Sequence, residues 1–200
     1  SNAEAGRATS WAAKALLAKV YLTTNRASSA LPLLDDVISN SGHGLLPSFT
    51  DVFSINNEMN KEILFAVRFK AGGFGLGNFM ANTFAPSSSG SLIVNGDGNG
   101  YNFPTNDLDL TYKTPATGSA DARKTVTMGK YNSKLYVKKF LSQVLVKLDA
   151  ENDFTVIRFS DVLLMKAEAL GFSTTSVNLI NDIRARAGAT DYVSGDFNTG

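Results

Sequence analysis

Two hundred residues, 44% of them hydrophobic, are enough for one domain with a core of its own, because a chain this long buries well over half of its surface. Nineteen basic residues nearly cancel eighteen acidic ones, which leaves a formal charge of +1 and no net field of the kind that gathers nucleic acid or anionic lipid. The absence of cysteine excludes disulfides, thiolate metal sites and thiol catalysis, and no apolar run approaches the roughly 20 residues of a membrane-spanning helix.

Ser1-Asn2-Ala3 reads as the remnant of a cleaved tag, so the natural protein is expected to carry other sequence before Glu4. From Ser10 to Thr24 the spacing predicts a helix capped by Ser10, with Trp11, Ala15, Ala18 and Leu22 on one face and Ala12, Leu16 and Val20 widening that stripe. A short connection, residues 25–29, leads to a second apolar pattern at Leu31, Leu34 and Ile38, with Pro32 expected in the first turn and Asn40-Ser41-Gly42 as the stop. Together these make a helical hairpin over 8–42.

The alternation of Ile63, Phe65, Val67 and Phe69 predicts a short half-buried strand. Residues 70–105 are rich in glycine, serine and asparagine and read as one long loop, in which Phe74, Phe79, Phe84, Tyr101 and Phe103 favour a folded conformation. The stretch 131–148 fits both a strand with a turn and an amphipathic helix, with the balance towards strand. A helix follows from Arg158 to Leu170, capped by Gly171, and another from about Ser176 to Ala187, ended by Gly188, with Val177, Ile180 and Ile183 facing inward. The organisation expected is a single domain over 4–200: hairpin 8–42, strand and variable loops 43–155, hairpin 156–188 and tail 189–200.

Catalytic chemistry finds little support. Gly73-Phe74-Gly75-Leu76-Gly77 follows a strand, but Asn78 occupies a position that a dinucleotide loop needs as glycine. Asp97-Gly98-Asn99-Gly100 opens like a calcium loop and lacks the closing bidentate glutamate. His43 is the one histidine, so a multi-histidine metal site is impossible, and no nucleophile elbow accompanies it. Asp107, Asp109, Asp121 and Glu168 supply carboxylates from which a glycosidase pair could be drawn, although scattered carboxylates are more often solvated or paired. No catalytic, cofactor-binding or metal-binding residue is assigned. Trp11 belongs to a helix stripe and reads as core, whereas aromatics on a surface loop need an explanation.

Several segments, in order, resemble the SusD/RagB family: ATSWAAKALLAKVYL; EILFAVRF; Pro104, Asp107, Leu108 and Tyr112 as P-x-x-D-L-x-x-x-Y; Asp121 and Arg123 as D-x-R; VIRFSDVLLMKAEAL; and NDIRARAGA. The resemblance spans residues 8–188. It implies a mainly α fold of tetratricopeptide-like helical hairpins with long loops and a few short strands, in which Arg158, Glu168, Arg184, Arg186 and Gly188 are structural. It also implies a longer parent protein: a lipid-anchored, non-catalytic component of the outer membrane at the cell surface. Such a protein binds an oligosaccharide or other nutrient without a cofactor and delivers it to a SusC-like TonB-dependent transporter. On this reading ligand contacts lie between Phe74 and Tyr112, with Phe79, Phe84, Asn99, Tyr101 and Asn102 as candidates. The alternatives are an interaction scaffold of the transporter complex without glycan contact and, more remotely, a glycoside hydrolase.

Overall fold

The computed structural model describes residues 6–112 and 121–193. The expected tag remnant, Ser1-Asn2-Ala3, and the end of the tail from 194 onward lie outside the described residues.

Thr9, one residue ahead of the expected cap, accepts a hydrogen bond from the Ala12 N–H at 3.1 Å and starts helix α1 (Ser10–Thr23). Its buried face is alanine: Ala12, Ala15 and Ala18. Small side chains let α2 (Ala27–Asn40) lie close, and Ala30, Leu34 and Val37 of α2 are fully buried there. The expected inward stripe is too wide, because Leu16 and Val20 are half exposed at 52% and 50%. The second helix also starts earlier than expected, so Pro32 is its sixth residue instead of lying in the first turn and cannot donate to the Ser28 carbonyl.

Strand β1 (Ile63–Val67) pairs with β4 (Phe154–Arg158). The predicted side of β1 is corrected: Glu62, Leu64 and Ala66 are buried along with Ile63, while Val67 is 47% exposed. Both faces of this strand carry apolar residues, so alternation alone does not choose between them. β4 runs into α6 (Phe159–Leu170), where the Asp161 carboxylate accepts from the Arg158 N–H at 3.1 Å. Gly171 follows with φ +63°, and Ser173 and Ser176 cap each other reciprocally to begin α7 (Thr174–Arg186), two residues ahead of the expected start. Lys166 reaches Asp35 of α2 at 2.7 Å.

These elements form one compact unit, drawn from residues 6–48, 59–66 and 155–193, with a core that includes Ala15, Ala18, Leu34, Leu64, Phe159, Val162 and Ile183. Trp11 packs against it, as expected of a stripe residue. The architecture is mainly α, two helical hairpins with few short strands, as expected from the helix periods.

The second compact unit comprises residues 49–58 and 67–154. It contains 3-10 turns at Thr50–Phe53, Ile55–Asn57 and Gly90–Leu92, the short helices α3 (Met80–Phe84), α4 (Asn106–Thr111) and α5 (Ala122–Thr127), and an antiparallel hairpin of β2 (Met128–Tyr131) and β3 (Lys134–Val137). The strand-with-turn reading of 131–148 therefore holds for its first third, and the remainder is irregular. The D-x-R pair is a local brace: Asp121 caps α5 and binds the Arg123 guanidinium at 2.6 Å.

Candidate functional site

The glycine-rich segment is folded around a small core, Ala81, Ala85, Val94, Val144 and Ala150, and around polar side chains that face inward. Asn82, fully buried, donates through its amide to the carbonyls of Asn95 and Asp97, both at 2.9 Å, and accepts from the Leu148 N–H at 2.8 Å. Asn78, 1% exposed, donates to the Asn152 carbonyl at 2.7 Å, accepts from the Met80 N–H at 2.7 Å, and bridges through its backbone to Ala150. At the position that broke the dinucleotide pattern stands a buried hub. Asp97 gathers the amides of Gly90 and Gly98 at 2.9 and 2.8 Å, so its carboxylate serves backbone donors and not a cation. These contacts, the Gly98 N–H foremost, hold the Asp97 carboxyl below its usual range. Asp149 does likewise with the amides of Gly72 and Gly73, both at 2.8 Å, and its carboxyl is lowered for the same reason. Two glycines are required by contact: a Cβ on Gly77 would stand 2.6 Å from the Asp149 Cα, and one on Gly98 would meet the Ala85 carbonyl oxygen at 2.2 Å.

Onto this frame residues 99–101 are laid along the end of α3. The Asn99, Gly100 and Tyr101 amides donate to the carbonyls of Asn82, Ala85 and Thr83 at 2.8, 2.9 and 3.0 Å. That backbone pairing brings four of the five candidate residues to one helix: Phe79 and Phe84 at its two ends, Asn99 and Tyr101 on the strip beside it. The fifth, Asn102, follows with φ +57° and is exposed. Phe79 and Tyr101 are 56% and 62% exposed. Phe84 is half buried and faces Phe140 at a centroid distance of 6.4 Å, and Phe140 faces Phe154 at 6.3 Å. Most of the loop aromatics thus project outward, while alanine, valine and asparagine hold the loop together.

The same aromatic row leads to a cleft that sequence reasoning missed. Lys139 extends its ammonium 4.5 Å from the centre of the Phe53 ring and 5.3 Å from that of Phe140. Beside it opens a cavity of about 410 Å³ lined by Lys138, Lys139, the hydroxyls of Thr50, Ser54 and Thr125, and apolar Phe53, Val126 and Leu141. The available signal was the run Lys138-Lys139-Phe140 directly after a strand, which places two cations at a hairpin's exit.

A second omission lies in the helical unit. Glu62 is fully buried and accepts from the Arg158 guanidinium at 3.1 Å, the Arg186 guanidinium at 2.7 Å and the Leu46 N–H at 2.9 Å. The bracing assigned to Glu168 belongs to Glu62, because Glu168 is exposed on α6. Two arginines in the final helical motifs with no acid matched to them were the clue.

A family model described as the SusD family matches residues 91–199. The chain belongs to the SusD family. A relative described as SusD-like protein P25, from Formosa agariphila, is 29% identical over 230 residues, covering 92% of this chain and 43% of its own length. Among solved structures, a "Laminarin binding SusD-like protein" superposes with a TM-score of 0.80 at 23% identity, covering 96% of this chain and 50% of that one. "Surface glycan-binding protein A from Bacteroides thetaiotaomicron in complex with laminarihexaose" does so with a TM-score of 0.79 at 20% identity and the same coverages. The chain therefore spans about half the length of the SusD-like proteins it matches, and these likenesses show the fold.

Proposed function

We propose that this SusD-family chain contributes a glycan-binding surface to a non-catalytic, lipid-anchored protein of the cell surface that delivers an oligosaccharide to a TonB-dependent transporter. The observation carrying this reading is the pair of exposed aromatics, Phe79 at the start of α3 and Tyr101 on a strip whose backbone is bonded to that helix at three consecutive residues. A sugar ring offers an apolar CH face to an aromatic and hydroxyls around its edge. The side-chain amides of Asn99 and Asn102 are unbonded among the described residues and so can serve those hydroxyls. Support also comes from the glycan-binding descriptions carried by structural neighbours of the same fold. A rigid platform lowers the ordering cost of binding, which suits capture without chemistry.

Titration calorimetry of the chain against a panel of neutral and acidic oligosaccharides tests the reading. Replacing Tyr101 or Phe79 by alanine is expected to weaken the ligand by about tenfold or more, equivalent to ~1.4 kcal/mol, with an unchanged thermal transition. Unaltered affinity in both variants would remove this loop from the site.

A docking role for the helical unit is favoured by its exposed apolar residues, Leu16 and Val20 on α1, Leu164 on α6 and Phe172 beyond it. The transporter is the partner proposed for that surface. Leu16→Asp with Val20→Asp is expected to abolish co-purification with the transporter while glycan binding persists.

A further inference from the structure

We propose that Asn95–Gly96 is a site of spontaneous backbone modification, succinimide formation followed by hydrolysis to an aspartyl or β-linked isoaspartyl residue, and that the fold protects the neighbouring Asn99–Gly100 pair from the same reaction. The inference is independent of the glycan-binding reading.

The sequence holds two Asn-Gly pairs, at 95–96 and 99–100, and one Asp-Gly pair, at 97–98. The reaction needs a carboxamide carbon, a following backbone nitrogen free to attack it, and no side chain in the way, which glycine guarantees. The nitrogen is the selective requirement. Peptide resonance already makes it a poor nucleophile, and an N–H held by a carbonyl must first lose that bond before it can be deprotonated and turned towards the side chain.

At Asn99–Gly100 the side chain is unbonded among the described residues, so side-chain freedom alone would select this pair. Its nitrogen is tied: the Gly100 N–H donates to the Ala85 carbonyl at 2.9 Å, flanked by the bonds of Asn99 to Asn82 and of Tyr101 to Thr83. At Asp97–Gly98 the carboxylate collects backbone amides and stays ionised, a poor electrophile, and Gly98 is buried against the Ala85 carbonyl.

Asn95–Gly96 differs at each point. Residues 94–97 form a turn closed by the Asp97 N–H, which donates to the Val94 carbonyl at 3.3 Å, and Gly96 at φ +81° has the positive angle that a type II turn demands at its third residue. That turn leaves the Gly96 N–H without an acceptor among the described residues. Both residues are exposed, so water reaches the bond. The Asn95 carboxamide is held by long contacts: Nδ2 donates to the Leu145 carbonyl at 3.2 Å, and Oδ1 accepts from Ser91 Oγ at 3.5 Å. The second contact sets a donor beside the oxygen on which negative charge develops.

Water is the only co-reactant. Gly96 N gives its proton to solvent and attacks Asn95 Cγ; the Cγ–Nδ2 bond breaks, the nitrogen departs as ammonia with a proton returned by solvent, and a five-membered imide remains. Water then opens the imide at one of its two carbonyls. Attack at Cγ restores the original main chain with a carboxylate side chain, whereas attack at the backbone carbonyl leaves the chain running through Cβ and Cγ, one carbon longer. The longer form falls at a sensitive place. Asn82 holds the carbonyls of residues 95 and 97 at 2.9 Å each, and its own carbonyl accepts from the Asn99 N–H. An extra main-chain carbon at residue 95 takes those two acceptors out of register and loosens the strip on α3.

The test keeps the whole chain in mildly alkaline buffer, folded and in urea, and samples it over time. Cleavage after Lys70 and Lys113 releases one peptide bearing both pairs, in which fragmentation assigns the mass change to Asn95 or Asn99. In urea the two pairs are expected to convert at comparable rates. In the folded chain Asn95 should still convert while Asn99 lags behind it by about tenfold or more, the factor for opening the Gly100 bond and its neighbours before reaction. Asn95→Gln, whose longer side chain closes the ring poorly, should abolish conversion at this position and leave the Asn99 rate unchanged. In the isoaspartyl fraction, separated by ion exchange, the amides of residues 99–101 should exchange with solvent faster than in the parent.

Equal rates at the two pairs in the folded chain, a faster Asn99, or no conversion of Asn95 on folding would overturn the proposal. Unchanged amide exchange in the isoaspartyl fraction would overturn its link to α3. The folded-against-urea comparison uses the unaltered chain, so it decides the matter even if the glutamine variant does not fold.

Discussion

Glu62 and Asn82 have the same physical situation, a polar side chain with no access to water and a full set of partners, and both were illegible as single letters. A glutamate before a strand reads by default as solvated, and an asparagine among glycines as a turn residue. Burial reverses the consequence of losing either. Glu62→Gln leaves two guanidinium groups facing a neutral amide, and is expected to cost about 3–5 kcal/mol in urea unfolding. A loss below about 1 kcal/mol would show that water compensates the arginines. Asn82→Ala strands the Leu148 N–H and two carbonyls, at about 1–3 kcal/mol for each group left unsatisfied, so a loss of at least ~2 kcal/mol is expected by the same measurement. The exposed aromatics were legible because a large apolar side chain on a loop needs a reason. Lys138 and Lys139 were not, since their meaning depends on Thr50 and Ser54, which are remote in sequence.

At the level of elements, periodicity located both helical hairpins to within a few residues, because the alanine and leucine stripes repeat with the helix and glycine or serine stands at their ends. It failed for β1, where Ile63, Leu64, Phe65, Ala66 and Val67 are apolar throughout and the buried side is decided by Glu62, whose carboxylate must reach the arginines. The 70–105 segment was legible as a folded loop, but not its framework of small apolar and amide side chains, which have no period. The close approach of α1 to α2 depends on volume: Ala18 and Ala30 are fully buried. Ala18→Leu is therefore expected to destabilise by about 1–3 kcal/mol through overpacking, read as a lowered denaturation midpoint. A neutral result would mean that the helices separate freely.

Across the molecule, acidic groups respond to pH with opposite signs. Asp97 and Asp149 are lowered by backbone amides, so their contribution is present above the ordinary carboxylate range and lost as pH falls below it. Burial raises Glu58, with the neighbouring Asp153 charge adding to it, and burial raises Asp153 as well. Their contribution is complete below the ordinary carboxylate range and is lost as pH climbs through their higher folded values, despite Arg68 bridging them at 3.3 and 2.6 Å. Glu58→Gln removes one titration of the second kind. Relative to the parent, the variant's melting temperature is expected to improve between about pH 4 and pH 7, and a constant difference across that interval would contradict the shift.

The buried acid of the helical unit has a consequence for biosynthesis. Glu62 leaves the ribosome long before its counter-charges, which follow 96 and 124 positions later in Arg158 and Arg186. Until Arg158 and then Arg186 have been translated, a growing polypeptide lacks the two cations that compensate that carboxylate away from water. The segment that leads into β1 must therefore wait, unsealed, for the last hairpin.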